Sequence, residues 1–219
     1  ENFFNTAGDL KMYTYGLYNF DGTGIYTADM YNTSDNGANT GNTETKTIMG
    51  GGVTPSNFNS GWQWGQLRDI NYFLENFSKA DIPENDLNHY EGVGRFFRAK
   101  FYMDKVKRYS DVPWCETVIE TDDQEELMKK RDPRQEVVNN LFADYNFATE
   151  NIQENGETGS VDRSVALAFK ARHALYEGTY RKYHPELDLQ SSAQKYLEMA
   201  RDAAKQIMDS GKFGIHNPS

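Results

Sequence analysis

The chain has 219 residues, a formal net charge of −10, 37% hydrophobic and 14% aromatic residues, and a single cysteine, Cys115. That is enough apolar material for one sizeable core, which excludes a disordered chain. The acidity argues against binding a phosphate backbone, which needs clustered positive charge. One cysteine excludes an internal disulfide framework and any multi-cysteine metal site, and no apolar run approaches the roughly 18 residues of a membrane-spanning helix.

Hydrophobic periodicity predicts six helices in one all-α domain spanning 1–219. The first covers about 6–18. A long polar stretch follows, about 19–62, rich in Gly, Asn, Thr and Asp, with DNGANTGNT and MGGGV inside it. Loops of such length in a compact domain are functional or disordered as a rule. The second helix runs about 64–79 and ends before Ile82-Pro83, and the third runs about 85–109. In the third, Val93, Phe96, Phe97, Tyr102, Met103 and Val106 make one broad apolar face, and the helix stops at Tyr109-Ser110-Asp111 before the Val112-Pro113 turn. A second irregular segment, 111–131, carries the acidic run TDDQEE.

The fourth helix is expected to start at Asp132-Pro133, with aspartate as N-cap and proline at the first helical position. Its apolar positions are Val138, Leu141, Phe142, Tyr145, Ala148 and Ile152. After a turn at Gly156–Ser160 come helices over 162–182 and 189–210, the last closed by Gly211 as a left-handed cap. Ala166, Ala168, Ala171, Ala174, Ala200, Ala203 and Ala204 permit close helix approach, so these elements suggest antiparallel, tetratricopeptide-like pairs.

Several residues bear on chemistry. The third helix holds Arg95, Arg98, Lys100, Lys105, Lys107 and Arg108, an unusual basic set in so acidic a chain; a solvated or salt-bridged helix face explains it more economically than an anion-binding stripe. Trp62 and Trp64 flank Gln63 and cannot share one side of a helix, so Trp64 is expected in the core and Trp62 is expected to project. Sugar rings present apolar C–H faces to flat aromatics and hydroxyls to amides and carboxylates. Trp62, with Tyr26, Tyr31, Asp35, Asn36 and Asn39 in the long loop, is therefore a candidate carbohydrate platform. Asp35-Asn36-Gly37 lacks the alternating ligands and terminal glutamate of a calcium loop, and no metal is expected. His89, His173, His184 and His216 form no i, i+4 pair and no HExxH. No histidine or orienting group marks Cys115 as a nucleophile, and no motif selects a carboxylate pair for hydrolysis.

The segment EGVGRFFRAKFYMDKVKRYSDVPW, 91–114, resembles the long N-terminal helix of the SusD/RagB family of outer-membrane nutrient-uptake lipoproteins. WGQLRDINYFLENF at 64–77 is similar to the family's preceding helix, with Trp64, Leu67, Ile70, Asn71 and Leu74 in the matching places. ENFFNTAGDLKMYTYGLYNF resembles its opening segment, DRSVALAFKARHALYEG its alanine-rich helix, and AQKYLEMARDAAKQIMDSGKFGI its next helix and glycine stop. The blocks fall in family order and cover most of the chain. Departures are Ser110, where the family often has glycine, and Trp114, where it has an aliphatic residue.

The resemblance implies an all-α, tetratricopeptide-like N-terminal part of a SusD-like fold, with a secretion signal and lipidated cysteine before it and more chain after it. It further implies a non-catalytic protein with no cofactor, on the cell outer membrane surface. Such a protein binds oligosaccharide and delivers it to a SusC-like TonB-dependent transporter. The alternatives are a fragment of a helical glycoside hydrolase or lyase, and a helical scaffold that binds proteins only. A further expectation is an exposed apolar surface near the last two helices, with dimerisation or marginal stability as its consequence.

Overall fold

The computed structural model describes residues 3–18, 41, 44–54, 56, 61–154 and 156–215. Among them helices are the only regular elements, with one isolated antiparallel bridge, Val112 to Asp132, and no strand. The chain divides into two compact units, one made of Glu1–Leu17 with Gly65–Ser219 and the other of Tyr18–Trp64.

In the larger unit, helix α1 (Ala7–Gly16) opens on a capping box: the Thr6 hydroxyl accepts from Asp9 N while the Asp9 carboxylate accepts from Thr6 N at 2.9 Å. In the smaller unit, α2 (Glu44–Met49) is a short helix within the stretch expected to be loop throughout. The glycine run stops it. Gly50 N–H bonds Lys46 O at 2.9 Å, and Gly51 takes φ +70, which glycine adopts without a side-chain penalty.

Back in the larger unit, α3 (Gly65–Asn76) ends in a 3₁₀ turn, Phe77–Lys79. It buries Leu67, Ile70, Asn71 and Phe73. Buried Asn71 donates to Cys115 O at 3.1 Å and Thr117 O at 2.9 Å, so it holds the irregular segment beyond the next helix. Phe73 joins Phe4 and Leu10 in a small core, where the Tyr13 ring stacks on it at 5.5 Å.

The central element is α4 (Glu84–Tyr109). Val93, Phe96, Phe97, Ala99, Phe101, Tyr102, Met103 and Val106 are all buried along it, because helices lie against more than one of its sides. Gly94 admits α3: a Cβ there would stand 2.8 Å from Leu74 Cδ2 and 2.9 Å from Phe73 Cδ1. The helix ends at Ser110, which takes φ 63, ψ −80, a region that favours glycine. Beyond it the chain folds back over Tyr102, whose hydroxyl accepts from Cys115 N at 2.7 Å. Trp114 lies on the Tyr102 ring, with centroids 4.1 Å apart, and its indole N–H reaches Glu116 at 2.8 Å. The tryptophan at this position is therefore a buried lid on the helix end. Residues 120–131 are exposed and include the single turn α5 (Gln124–Leu127).

Helix α6 (Arg134–Asn151) packs along α4. Its cap differs from expectation. Pro133 is the N-cap residue and offers no side-chain acceptor, so Asp111 supplies it, taking Arg134 N at 2.9 Å. Asp132 instead accepts from Trp114 N at 2.7 Å, because the Val112–Asp132 bridge turns it towards the incoming strand of chain. Helix α7 (Arg163–Tyr183) starts on Asp162, which accepts from Val165 N at 2.9 Å. Helix α8 (Ala193–Asp209) returns against it in the most extensive helix pairing among the described residues. Gly178 makes that approach possible, since a Cβ would sit 2.8 Å from Leu197 Cγ and 3.0 Å from its backbone N. Ala166, Ala174, Ala200 and Ala203 are buried as expected, whereas Ala168 is exposed. Leu175, Tyr183, Met208, Phe213 and Ile215 are exposed apolar side chains on and after these two helices.

A buried ionic network fastens α4, α6, α7 and α8 together. Arg134 bonds Glu177 at 2.7 and 3.2 Å and donates to Val106 O at 3.1 Å. Arg181 bonds the same carboxylate at 2.6 Å, then reaches Gln135 on α6 and Ser192 Oγ before α8. All three charged residues are buried.

Candidate functional site

Trp62 and Trp64 precede the first turn of α3, in non-helical backbone. Residues two apart on extended chain fall on the same side. Their rings accordingly meet edge to face, centroids 5.1 Å apart and planes at 79°. Both indoles are half-exposed. Trp62 thus keeps the accessibility expected of it. Trp64 does not occupy the core position expected of it, because helical spacing does not apply before Gly65. The pair forms one aromatic corner in the smaller unit. Tyr26, Tyr31, Asp35, Asn36 and Asn39 lie outside the described residues.

The basic set of α4 resolves into differently paired groups. Arg98 is buried and grips Asp144 of α6 with two bonds, 2.7 and 2.9 Å, its guanidinium 5.5 Å from the Trp114 ring centre. Arg95 lies 2.6 Å from Glu91 and 3.4 Å from Asp144, and packs on Phe147. Burial pushes the Asp144 carboxyl above its usual range, and Arg98 and Arg95 oppose that push. Lys105 is buried over the Phe101 ring, and burial lowers its ammonium. Lys100 and Lys107 share Asp104, at 3.2 and 3.8 Å. Lys107 also sits 5.3 Å above the Tyr176 ring of α7.

His173, Cys115 and His89 hold structural places. His173 is buried with its Nδ1 2.8 Å from the Tyr145 hydroxyl, and burial, with Lys107, Lys100 and Arg172 adding to it, lowers its pKa to about 3. It is neutral at any physiological pH. Cys115 is buried, which pushes its thiol up and away from nucleophilic ionisation. His89 accepts the backbone N–H of Gln153 at 3.1 Å. Among the described residues no group of three His, Cys, Asp or Glu is arranged to hold a metal ion. No described helix is long and apolar enough to cross a membrane. Between α7 and α8, Glu154, Arg163, Leu167, Ile207 and Lys212 line a cleft of about 300 Å³, but Arg163 and Lys212 already bind Glu154 across it.

No family model matches the chain, and no curated protein does. Solved structures do. A SusD-like protein from Bacteroides fragilis NCTC 9343 aligns with 98% of this chain at TM-score 0.72 and 22% identity, over 40% of its own length. A SusD-like carbohydrate binding protein from the same organism aligns with 99% at TM-score 0.76 and 18% identity, over 43% of its length. A third, a SusD-like carbohydrate binding protein from Bacteroides vulgatus ATCC 8482, aligns with 98% at TM-score 0.66 and 17% identity, over 47% of its length. The chain therefore has a SusD-like fold, and it spans less than half the length of these proteins.

Proposed function

We propose that this chain is part of a SusD-like protein that binds carbohydrate without cleaving it. The longer protein presents oligosaccharide at the outer membrane surface to a SusC-like TonB-dependent transporter. The observation that carries the reading is the shared fold, since two of the matched structures are themselves named carbohydrate binding proteins. The Trp62–Trp64 corner adds chemical support, because it offers flat apolar area beside a polar stretch rich in amides. The long loop, with Tyr26, Tyr31, Asp35 and Asn39, forms one wall of the site. The buried carboxylates Asp144 and Glu177 are each tied to two arginines, which suits structural roles rather than proton transfer.

The test is a calorimetric screen of oligosaccharides paired with a hydrolysis assay. The expected result is binding in the micromolar to millimolar range, about −8 to −4 kcal/mol, with poor binding of monosaccharides. Trp62→Ala weakens binding while the thermal midpoint stays put. Product formation that disappears on mutating a single carboxylate would make the protein an enzyme instead. Unchanged affinity after replacing Trp62, Tyr26 and Tyr31 together would remove the loop from the site.

A further inference from the structure

The antiparallel pairing of α7 with α8 sets the first turns of one beside the last turns of the other, and the cleft of about 300 Å³ opens there, wholly within the larger unit. Leu167, buried, and Ile207, half-buried, give it an apolar wall. A clasp fixes its rim. Gly211, at φ +66, ends α8 and turns the chain, and Lys212 meets Glu154 with Nζ 2.7 Å from Oε2. Arg163 holds the other oxygen at 3.1 Å and spends its Nε on Thr149 O at 2.9 Å. Lys212, then Arg163, keep the Glu154 carboxyl below the usual carboxylate range, so it is an ionised acceptor at neutral pH. Lone pairs remain on both of its oxygens after these bonds. One Nη of Arg163 has no hydrogen-bond partner among the described residues. The Ser164 hydroxyl and the Gln206 amide also line the cleft, and neither makes a side-chain hydrogen bond among the described residues.

The charges around the cleft balance, Arg163 and Lys212 against Glu154 and Asp209, so it gives no preference to an ion. Its volume lies at the low end of small-molecule sites, about 300–1,000 Å³, which limits the occupant to about one ring. A purely apolar ring would leave the carboxylate, the hydroxyl and the amide without partners in a desolvated site. A saturated ring with hydroxyls at its edge and C–H groups on its face answers both kinds of wall. We infer that this cleft is a binding site for a single neutral pyranose ring, with Glu154, Arg163, Ser164 and Gln206 at its hydroxyls and Leu167 and Ile207 at a C–H face. The ligand class rests on the carbohydrate-binding reading above. The residues do not: neither tryptophan of the aromatic corner lines the cleft.

Saturation-transfer NMR on the 219-residue chain tests it, with the methyl pyranosides of glucose, galactose and mannose as probes. The expected result is that at least one binds with a dissociation constant on the order of 1–10 mM, weak as a single ring allows. Gln206→Trp, at an exposed position, fills the cleft and should abolish the transfer. Ser164→Ala and Glu154→Gln each remove one partner and should weaken binding about threefold to tenfold. Trp62→Ala should leave it unchanged. The thermal midpoint of each variant shows whether it is folded. If no methyl pyranoside binds, or if affinity survives both Gln206→Trp and Ser164→Ala, the cleft is not a sugar site. Oligosaccharide binding that is lost in Trp62→Ala would leave the carbohydrate reading standing in that case. If neither methyl pyranosides nor oligosaccharides bind, that reading falls and this inference with it.

Discussion

Two groups of cations in this fold teach different lessons. Arg134, Arg181 and Arg98 are buried, and each meets a buried carboxylate at 2.6–2.7 Å. Lys100 and Lys107 sit further out and share the exposed carboxylate of Asp104, and Arg172 is exposed. Helix propensity and charge patterning treat both groups alike. What separates them is burial: Glu177 and Asp144 are buried with their arginines, whereas Asp104 is exposed. Buried pairs of the first kind add little net stability, yet breaking one leaves an uncompensated buried charge. An exposed cation such as Arg172 can be removed cheaply.

That contrast is sharpest at Glu177, which serves two arginines. Glu177→Ala should cost about 3–5 kcal/mol in urea unfolding, because two buried guanidiniums lose their counter-ion. A loss below about 1 kcal/mol would mean that water reaches the network and that the two regions are less different than their burial suggests.

His173 probes the boundary between the regions. Its folded pKa of about 3 lies below the unfolded value, so the unfolded chain takes up the proton first as pH falls. Stability from this residue is complete above pH ~6.5 and declines by about 1.4 kcal/mol per unit between there and pH 3. The loss should be visible as a falling unfolding midpoint from pH 7 to 4, flattened in His173→Gln. Arg172→Ala should steepen nothing and raise the folded-state pKa slightly, since one of the cations depressing it is gone.

Ser110→Gly should stabilise by about 1 kcal/mol, by releasing a side chain from a left-handed backbone at the end of α4. The smallest effect belongs to Arg172→Ala, less than about 0.5 kcal/mol in the same assay. A larger cost would place Arg172 with the structural cations rather than the exposed ones.

The helices were legible because their signals are local. Apolar spacing at Val138, Leu141, Phe142 and Tyr145 marks α6, and Gly211 marks the end of α8. The cap of α6 is not legible locally: Asp132 is the acid next to the helix start, while Asp111 lies 23 residues before Arg134, and only the fold-back after α4 brings it to the helix end. The short helix α2 went unread because six residues are too few for periodicity to rise above the surrounding polar stretch. At the candidate site, the half-exposure of Trp62 followed from its place ahead of the helix. The pairing of Trp62 with Trp64 did not, because it depends on helix α3 starting at Gly65 and not at Trp64. The cleft between α7 and α8 carried no signal at all: Ser164, Leu167, Gln206 and Ile207 are brought together by tertiary packing.

The three tryptophans fall into two optical classes. Trp62 and Trp64 stand edge to face at 5.1 Å, close enough for their excited states to couple, and both meet solvent. Trp114 lies buried on Tyr102, away from water and beside a guanidinium. A near-ultraviolet dichroism couplet therefore reports on the indole corner, while blue-shifted emission reports on the helix end beneath Trp114. A sugar settling on Trp62 would disturb the first signal and leave the second alone, and loosening of the helical core would do the reverse. The molecule carries its own means of telling occupancy from unfolding, with no label attached.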